Sequence, residues 1–297
     1  MINKYSGGNM ENTNPQLKNT EKPHLVVGWI LLTGLFVLRI PFLTGVAILG
    51  NQLWLDPFFQ IGTYLLTAIL VYWERHRLAI FHIDRLALSI IILFKPIQTI
   101  ILSVWKIENA ALAFPKWPSL IIWIISIGLI IALCRSRASL PKFTMKSFYW
   151  LLIGLIVGFF TVLLLAYPAS LQWGQTITLN AERLSSILKA IPRDAAYQMG
   201  YAAVSEEPFF RGFLWGFLAQ ARWREKWIWL FQALLFVIGH LYNLPKYPIS
   251  FWVIVPVCGL VLGGLVWWSK TISSSMATHA IINTLLKISG NIVASLK

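Results

Sequence analysis

Ser147–Tyr167 reads SFYWLLIGLIVGFFTVLLLAY, without one charged residue. A helix needs about 20 predominantly apolar residues to cross the roughly 30 Å hydrocarbon core of a bilayer, and this stretch supplies them. The rest of the chain agrees. Hydrophobic residues make up 57% of its 297 residues and charged residues 12%, against roughly 45–50% and about 25% in an ordinary soluble domain. So little charge cannot cover a water-facing surface, so the reading is an all-α, polytopic transmembrane helix bundle. Disordered, collagen-like and disulfide-rich classes are excluded by the same figures.

Outward from that stretch, further apolar segments lie near 25–48, 58–73, 86–105, 118–134, 195–219, 227–243, 251–268 and 274–294. Arg39 and Pro41 interrupt the first, and Lys95 and Pro96 the third, so the expected count is eight or nine spans. The organisation expected is a disordered polar tail at 1–23, N-terminal spans over 24–167, an extramembrane or interfacial connection at 168–194, and a C-terminal transmembrane core at 195–297. Within the connection, LNAERLSSILKAI places Leu184, Ile187, Leu188 and Ile191 on one helical face, as a surface-lying amphipathic helix would. A packed loop is the alternative. Cys134 and Cys258 sit in apolar segments, show no metal or disulfide spacing, and read as small buried hydrophobes.

The net charge of +14 is mostly topology. With the N-terminus inside, fourteen basic residues fall in the inner connections, such as Arg75, Arg77, Arg135, Arg137, Arg222 and Arg224, against seven outside. That asymmetry favours a cytoplasmic N-terminus. No folded basic domain exists to carry a nucleic-acid role.

Ionisable groups inside spans are the informative residues, because a charge at mid-helix costs on the order of 2.5–3.5 kcal/mol even on the lenient insertion scale. Arg39, Lys95 and Lys287 read as snorkelling cations. The segment SEEPFFRG at Ser205–Gly212 is different, for it places Glu206, Glu207 and Arg211 in one span. Glu207 and Arg211 are four apart and share a helical face, while Glu206 lies about 100° around and must find partners elsewhere. A structural ion-pair cluster gluing helices together is the plainer alternative. Two later spans offer partners: Phe236 with His240, and His279 with Asn283, each pair four apart. In hydrocarbon such groups must meet each other or water, and a shared cavity of this kind has the parts for hydrolysis. By residue count, Glu206 falls mid-span while His240 lies near one end and His279 near the start of its own. Tilted helices, or a last helix beginning near Thr271, would bring them level.

In this order, these motifs resemble the CPBP family of CAAX proteases and bacteriocin-processing enzymes, also called the Abi family. The resemblance rests on Glu206, Glu207 and Arg211, then Phe236 and His240, then His279 and Asn283, and covers roughly Tyr197–Ile288. It implies an intramembrane endopeptidase acting on a membrane-associated polypeptide, with Glu206 and His240 activating water. His279 and Asn283 would form the oxyanion site, with Glu207 and Arg211 in support. The resemblance brings both metal-free and metal-dependent descriptions. The chain lacks a His-Glu-x-x-His motif, so no cofactor is favoured, although Glu206, His240 and His279 could hold zinc.

Two alternatives from other classes are a non-catalytic immunity or partner-binding protein on the same scaffold, and a transporter with a carboxylate–histidine relay. The second lacks the matched pair of broken spans that marks repeats. The expected location is a bacterial inner membrane.

Overall fold

A computed structural model describes residues 24–39, 55–105, 111–137, 139–178 and 180–296. Among the described residues the chain is helical, without a strand. The elements are α1 (His24–Arg39), α2 (Leu55–Trp73), a single 3₁₀ turn at Leu78–Phe81, α3 (Arg85–Val104), α4 (Trp117–Arg135), α5 (Met145–Trp173), α6 (Ala181–Gln198), α7 (Val204–Glu207), α8 (Trp215–Gln220), α9 (Glu225–Ile238), α10 (Val255–Ser269) and α11 (Ile272–Ser295). The expected tail at 1–23, and residues 40–48 of the first apolar segment with Pro41, lie outside the described residues.

Among the described residues five helices are long and apolar enough to cross a membrane, α2, α3, α4, α5, and α10 with the turn before it, over Ser250–Ser269, so the expected count of eight or nine spans is not confirmed. The protein is an integral membrane protein on this composition. The C-terminal elements with the polar groups are shorter or less apolar. α9 has 14 residues, a rise of about 21 Å, and α11 opens on three serines, Ser273, Ser274 and Ser275. α4 and α5 turn apolar side chains outward, with Ile124, Phe160 and Leu164 each more than 60% exposed, as a lipid-facing surface requires.

Three local expectations change. α3 runs unbroken through Lys95 and Pro96, since neighbouring helices cover the backbone group that proline leaves free. Helix also continues through Pro192, so α6 begins at Ala181 with Asn180 as its cap, its side chain accepting from the Arg183 N–H at 2.8 Å. The helical alternative for LNAERLSSILKAI is the one found. α6 has no buried residue, and its Leu184 and Leu188 are exposed. Finally, Cys258 is buried but Cys134 is exposed, because it lies on an outward face of α4.

The site depends on how α11 is seated. Asp84 caps α3 by accepting from the Ala87 N–H at 2.8 Å, and its other oxygen accepts from the Thr271 hydroxyl at 2.6 Å. Thr271 is itself the cap of α11, and the Ile272 N–H donates to the His82 carbonyl at 2.9 Å. One aspartate thus joins the starts of two helices. Burial, with Lys270 adding to it, pushes the His82 imidazole down to about 4, so this joint carries no histidine charge near neutral pH.

Along its length α11 lies against α5 at glycine. The Thr278 hydroxyl donates to the Gly154 carbonyl at 2.7 Å, and a Cβ at Gly154 would sit 2.2 Å from the Ser274 carbonyl oxygen. At Gly158, one turn on, the fit is tight but less so, with a Cβ 3.0 Å from the Thr278 carbonyl oxygen and from Ile281. Close backbone approach at small residues four apart is a standard helix contact in lipid. Gly154→Val should therefore destabilise by about 1–3 kcal/mol or more through overpacking, lowering the thermal unfolding midpoint of the detergent-solubilised protein. Gly128→Val is the control. A Cβ there meets nothing within 4 Å, so the midpoint should hold.

Candidate active site

α6, α7 and α8 form one continuous helical run in which two wide, π-helical turns, Met199–Ala203 and Pro208–Leu214, flank the four residues of α7. Such turns shift the helical register and cluster at functional sites. Here they bracket Glu206 and Glu207.

The two glutamates have different surroundings. Glu207 and Arg211 are wholly buried and paired at 3.3 Å, as the four-residue spacing predicts. Glu207 Oε1 also meets His279 Nδ1 at 2.8 Å, and the Arg211 guanidinium lies 4.2 Å from the centre of the Phe236 ring. Glu206 instead presents Oε2 to two imidazoles, with His240 Nε2 and His279 Nε2 each 3.9 Å away. Oε2 has no hydrogen-bond partner among the described residues. Because α11 starts at Ile272, the last helix does bring His279 level with Glu206.

The histidines are held from behind. His240 follows α9, and its Nδ1 lies 2.8 Å from the Phe236 carbonyl. A carbonyl only accepts, so Nδ1 carries the proton and Nε2 faces Glu206 with a lone pair. The other imidazole, on α11, turns Nδ1 to Glu207 and Nε2 to Glu206. It donates from Nε2 only when both nitrogens are protonated. Asn283 lies one turn further along α11 and donates one amide hydrogen to Gln198 Oε1 at 3.3 Å. Glu206, His240, His279 and Asn283 line one cavity of about 260 Å³, walled by Tyr201, Phe236, Tyr242 and Tyr247 among others.

Two cations missing from the sequence-based site also converge here. Arg39 of α1 is 4% exposed and pairs with Glu206 Oε1 at 3.4 Å. Lys95 of α3 is fully buried, with its amine on the Gly200 carbonyl at 3.1 Å, on Ser205 Oγ at 3.3 Å and on Gln60 Oε1. Neither snorkels. The only hint available to sequence was that both stand near a proline in an apolar run. Lys287 is exposed, as expected of a snorkelling side chain.

Zinc would need Glu206, His240 and His279 as ligands. With metal–ligand bonds of about 2.0–2.1 Å, neighbouring donors of a tetrahedral site stand roughly 3.3 Å apart, closer than the 3.9 Å found here. The glutamate's other oxygen is engaged by Arg39, and no group of three or more His, Cys, Asp or Glu able to hold a metal ion forms among the described residues. The arrangement as it stands does not fit a metal centre.

Among the described residues, the helical bundle sets a carboxylate, two imidazoles and an amide around one small cavity. Residues 194–285 match the family model described as type II CAAX prenyl endopeptidase Rce1-like. That match supports assignment to the CPBP or CAAX protease family, whose members are peptide hydrolases. No curated protein and no solved structure matches the chain.

Proposed function

We propose that the chain is an endopeptidase in which Glu206 and His240 activate water against a peptide bond of a membrane-associated polypeptide, without a metal. The supporting observation is the pair of 3.9 Å separations at Glu206 Oε2. They are too long for direct hydrogen bonds and suit a water shared between acceptors. A water donating to Oε2 and to His240 Nε2 has its oxygen lone pair free for attack. As that oxygen bonds to the carbonyl carbon, Glu206 takes the proton and the C=O electron pair moves onto oxygen. Asn283 donates to this oxyanion, joined by His279 in its doubly protonated form. Collapse breaks the C–N bond, and the proton on Glu206 passes to the departing nitrogen.

In this reading 195–297 is the catalytic core, the N-terminus is cytoplasmic, and the membrane is a bacterial inner membrane. The test is a mixed peptide library, prenylated peptides included, incubated with the detergent-solubilised protein and read by mass spectrometry. Cleavage should survive a chelator and fall by about 10²–10⁴-fold in His240→Ala, the usual worth of a general base. Loss of wild-type cleavage on chelation would move the chemistry to a bound metal. A folded wild type that cuts nothing would favour the non-catalytic alternative.

A further inference from the structure

We propose that Arg39, on α1 and far in sequence from residues 194–285, is a positioning residue that holds one oxygen of Glu206 so that the other faces the two histidines. The proposal rests on the peptidase reading. Glu206 divides its oxygens cleanly: Oε1 meets Arg39 Nη1 at 3.4 Å, and Oε2 takes both approaches to imidazole. The last torsion of a glutamate is broad and nearly two-fold, so a carboxylate without such a hold rotates freely between its partners. Arg39 has a second prong, Nη2 to the Ser205 carbonyl at 3.5 Å. A planar guanidinium can grip the side chain of one residue and the backbone of the residue before it, which an ammonium cannot do in the same geometry.

The surroundings fix the arginine itself. Its guanidinium carbon lies 5.4 Å from the centre of the Phe59 ring, 5.8 Å from that of Phe209 and 5.0 Å from that of Phe210. Lys95 secures the backbone on the same side. Its bonds to Gly200 and Ser205 span the wide turn leading into α7, where α3 comes so near that a Cβ on Gly200 would lie 2.2 Å from the Phe94 carbonyl oxygen. The height of Glu206 along its helix and the rotation of its carboxylate are therefore both set by the N-terminal half. A buried ion pair adds little net stability over an apolar replacement, which leaves orientation as what this pair contributes.

The experiment compares wild type, Arg39→Gln, Arg39→Lys and Arg39→Ala, all full-length, on a peptide that the wild type cleaves. Misplacing a reacting group by about 1 Å can cost roughly 100-fold. Arg39→Gln should accordingly lose tenfold or more in kcat per folded molecule, with KM within about threefold, and its unfolding midpoint should fall because the Glu206 carboxylate is left without its counter-charge. Arg39→Lys should be intermediate, and guanidinium added to Arg39→Ala should restore part of kcat. Wild-type kcat in folded Arg39→Gln overturns the proposal, as does a loss that guanidinium leaves untouched. If Arg39→Gln fails to fold, fully active Arg39→Lys overturns the two-pronged hold. Loss of the peptidase reading is seen separately, as absent cleavage in the wild type.

Discussion

Glu206→Gln should abolish peptide hydrolysis, cutting kcat by about 10²–10⁴-fold while leaving KM within about threefold. The substitution keeps the size and shape of the side chain and an oxygen for Arg39 at the 3.4 Å contact. What disappears is a group that can take a proton from water and pass it to the leaving nitrogen. The amide would also turn a donor toward one imidazole, competing for the lone pair that His240 directs at the site because its Nδ1 is committed to the Phe236 carbonyl. Glu206→Asp is the companion variant. It retains charge but draws the carboxylate back by one methylene, roughly 1.5 Å, enough to lose the shared water position and most of the rate. Product formation followed by mass spectrometry decides the matter. A Glu206→Gln protein that still cleaves at a tenth of the wild-type rate or better would remove Glu206 from the chemistry.

Much of this was legible in the sequence, and the boundary of legibility has physical causes. Apolar runs of bilayer length announce helices whatever their neighbours do, so α2, α3, α4, α5 and α10 fall where composition places them. Polar groups in such runs must find each other, which is why Glu206, His240 and His279 can be expected around one cavity before any coordinates exist. Periodicity gives the face of a helix but not which helix lies against it. Arg39 and Lys95 therefore read as lone cations bound for the interface, when each is buried against the wide-turned segment around Glu206. The contact of α5 with α11 is hidden for a related reason. Ser147–Tyr167 is apolar all round, so nothing in its pattern shows that Gly154 and Gly158 mark the face that receives Thr278. The continuation of helix through Pro96 follows from packing that supplies what proline withholds, since the Tyr64 and Ser126 hydroxyls donate to the Ile92 carbonyl, and sequence alone argues the other way.

Arg211→Met should destabilise the protein by about 3–5 kcal/mol, the cost of leaving one member of a buried ion pair without the other. Both side chains are wholly buried, so no water is at hand to take over from the guanidinium. Arg211 also donates to the Gly259 carbonyl at 3.4 Å, tying this helical run to α10. The double variant Glu207→Gln/Arg211→Met should be markedly more stable than the single one, since it removes the orphaned charge yet keeps an oxygen to receive His279 Nδ1–H. The same logic extends to activity. In the single variant Glu207 loses its counter-charge while His279 Nδ1 stays on Oε1, altering the imidazole that faces Glu206. In the double variant the neutral amide oxygen holds that ring as before, and a substantial part of kcat should return. Unfolding midpoints and kcat measured across the four-membered cycle give the coupling directly. Equal stability of the single and double variants would mean that Glu207 finds another partner once Arg211 is gone, and that the ion pair does not organise the histidine.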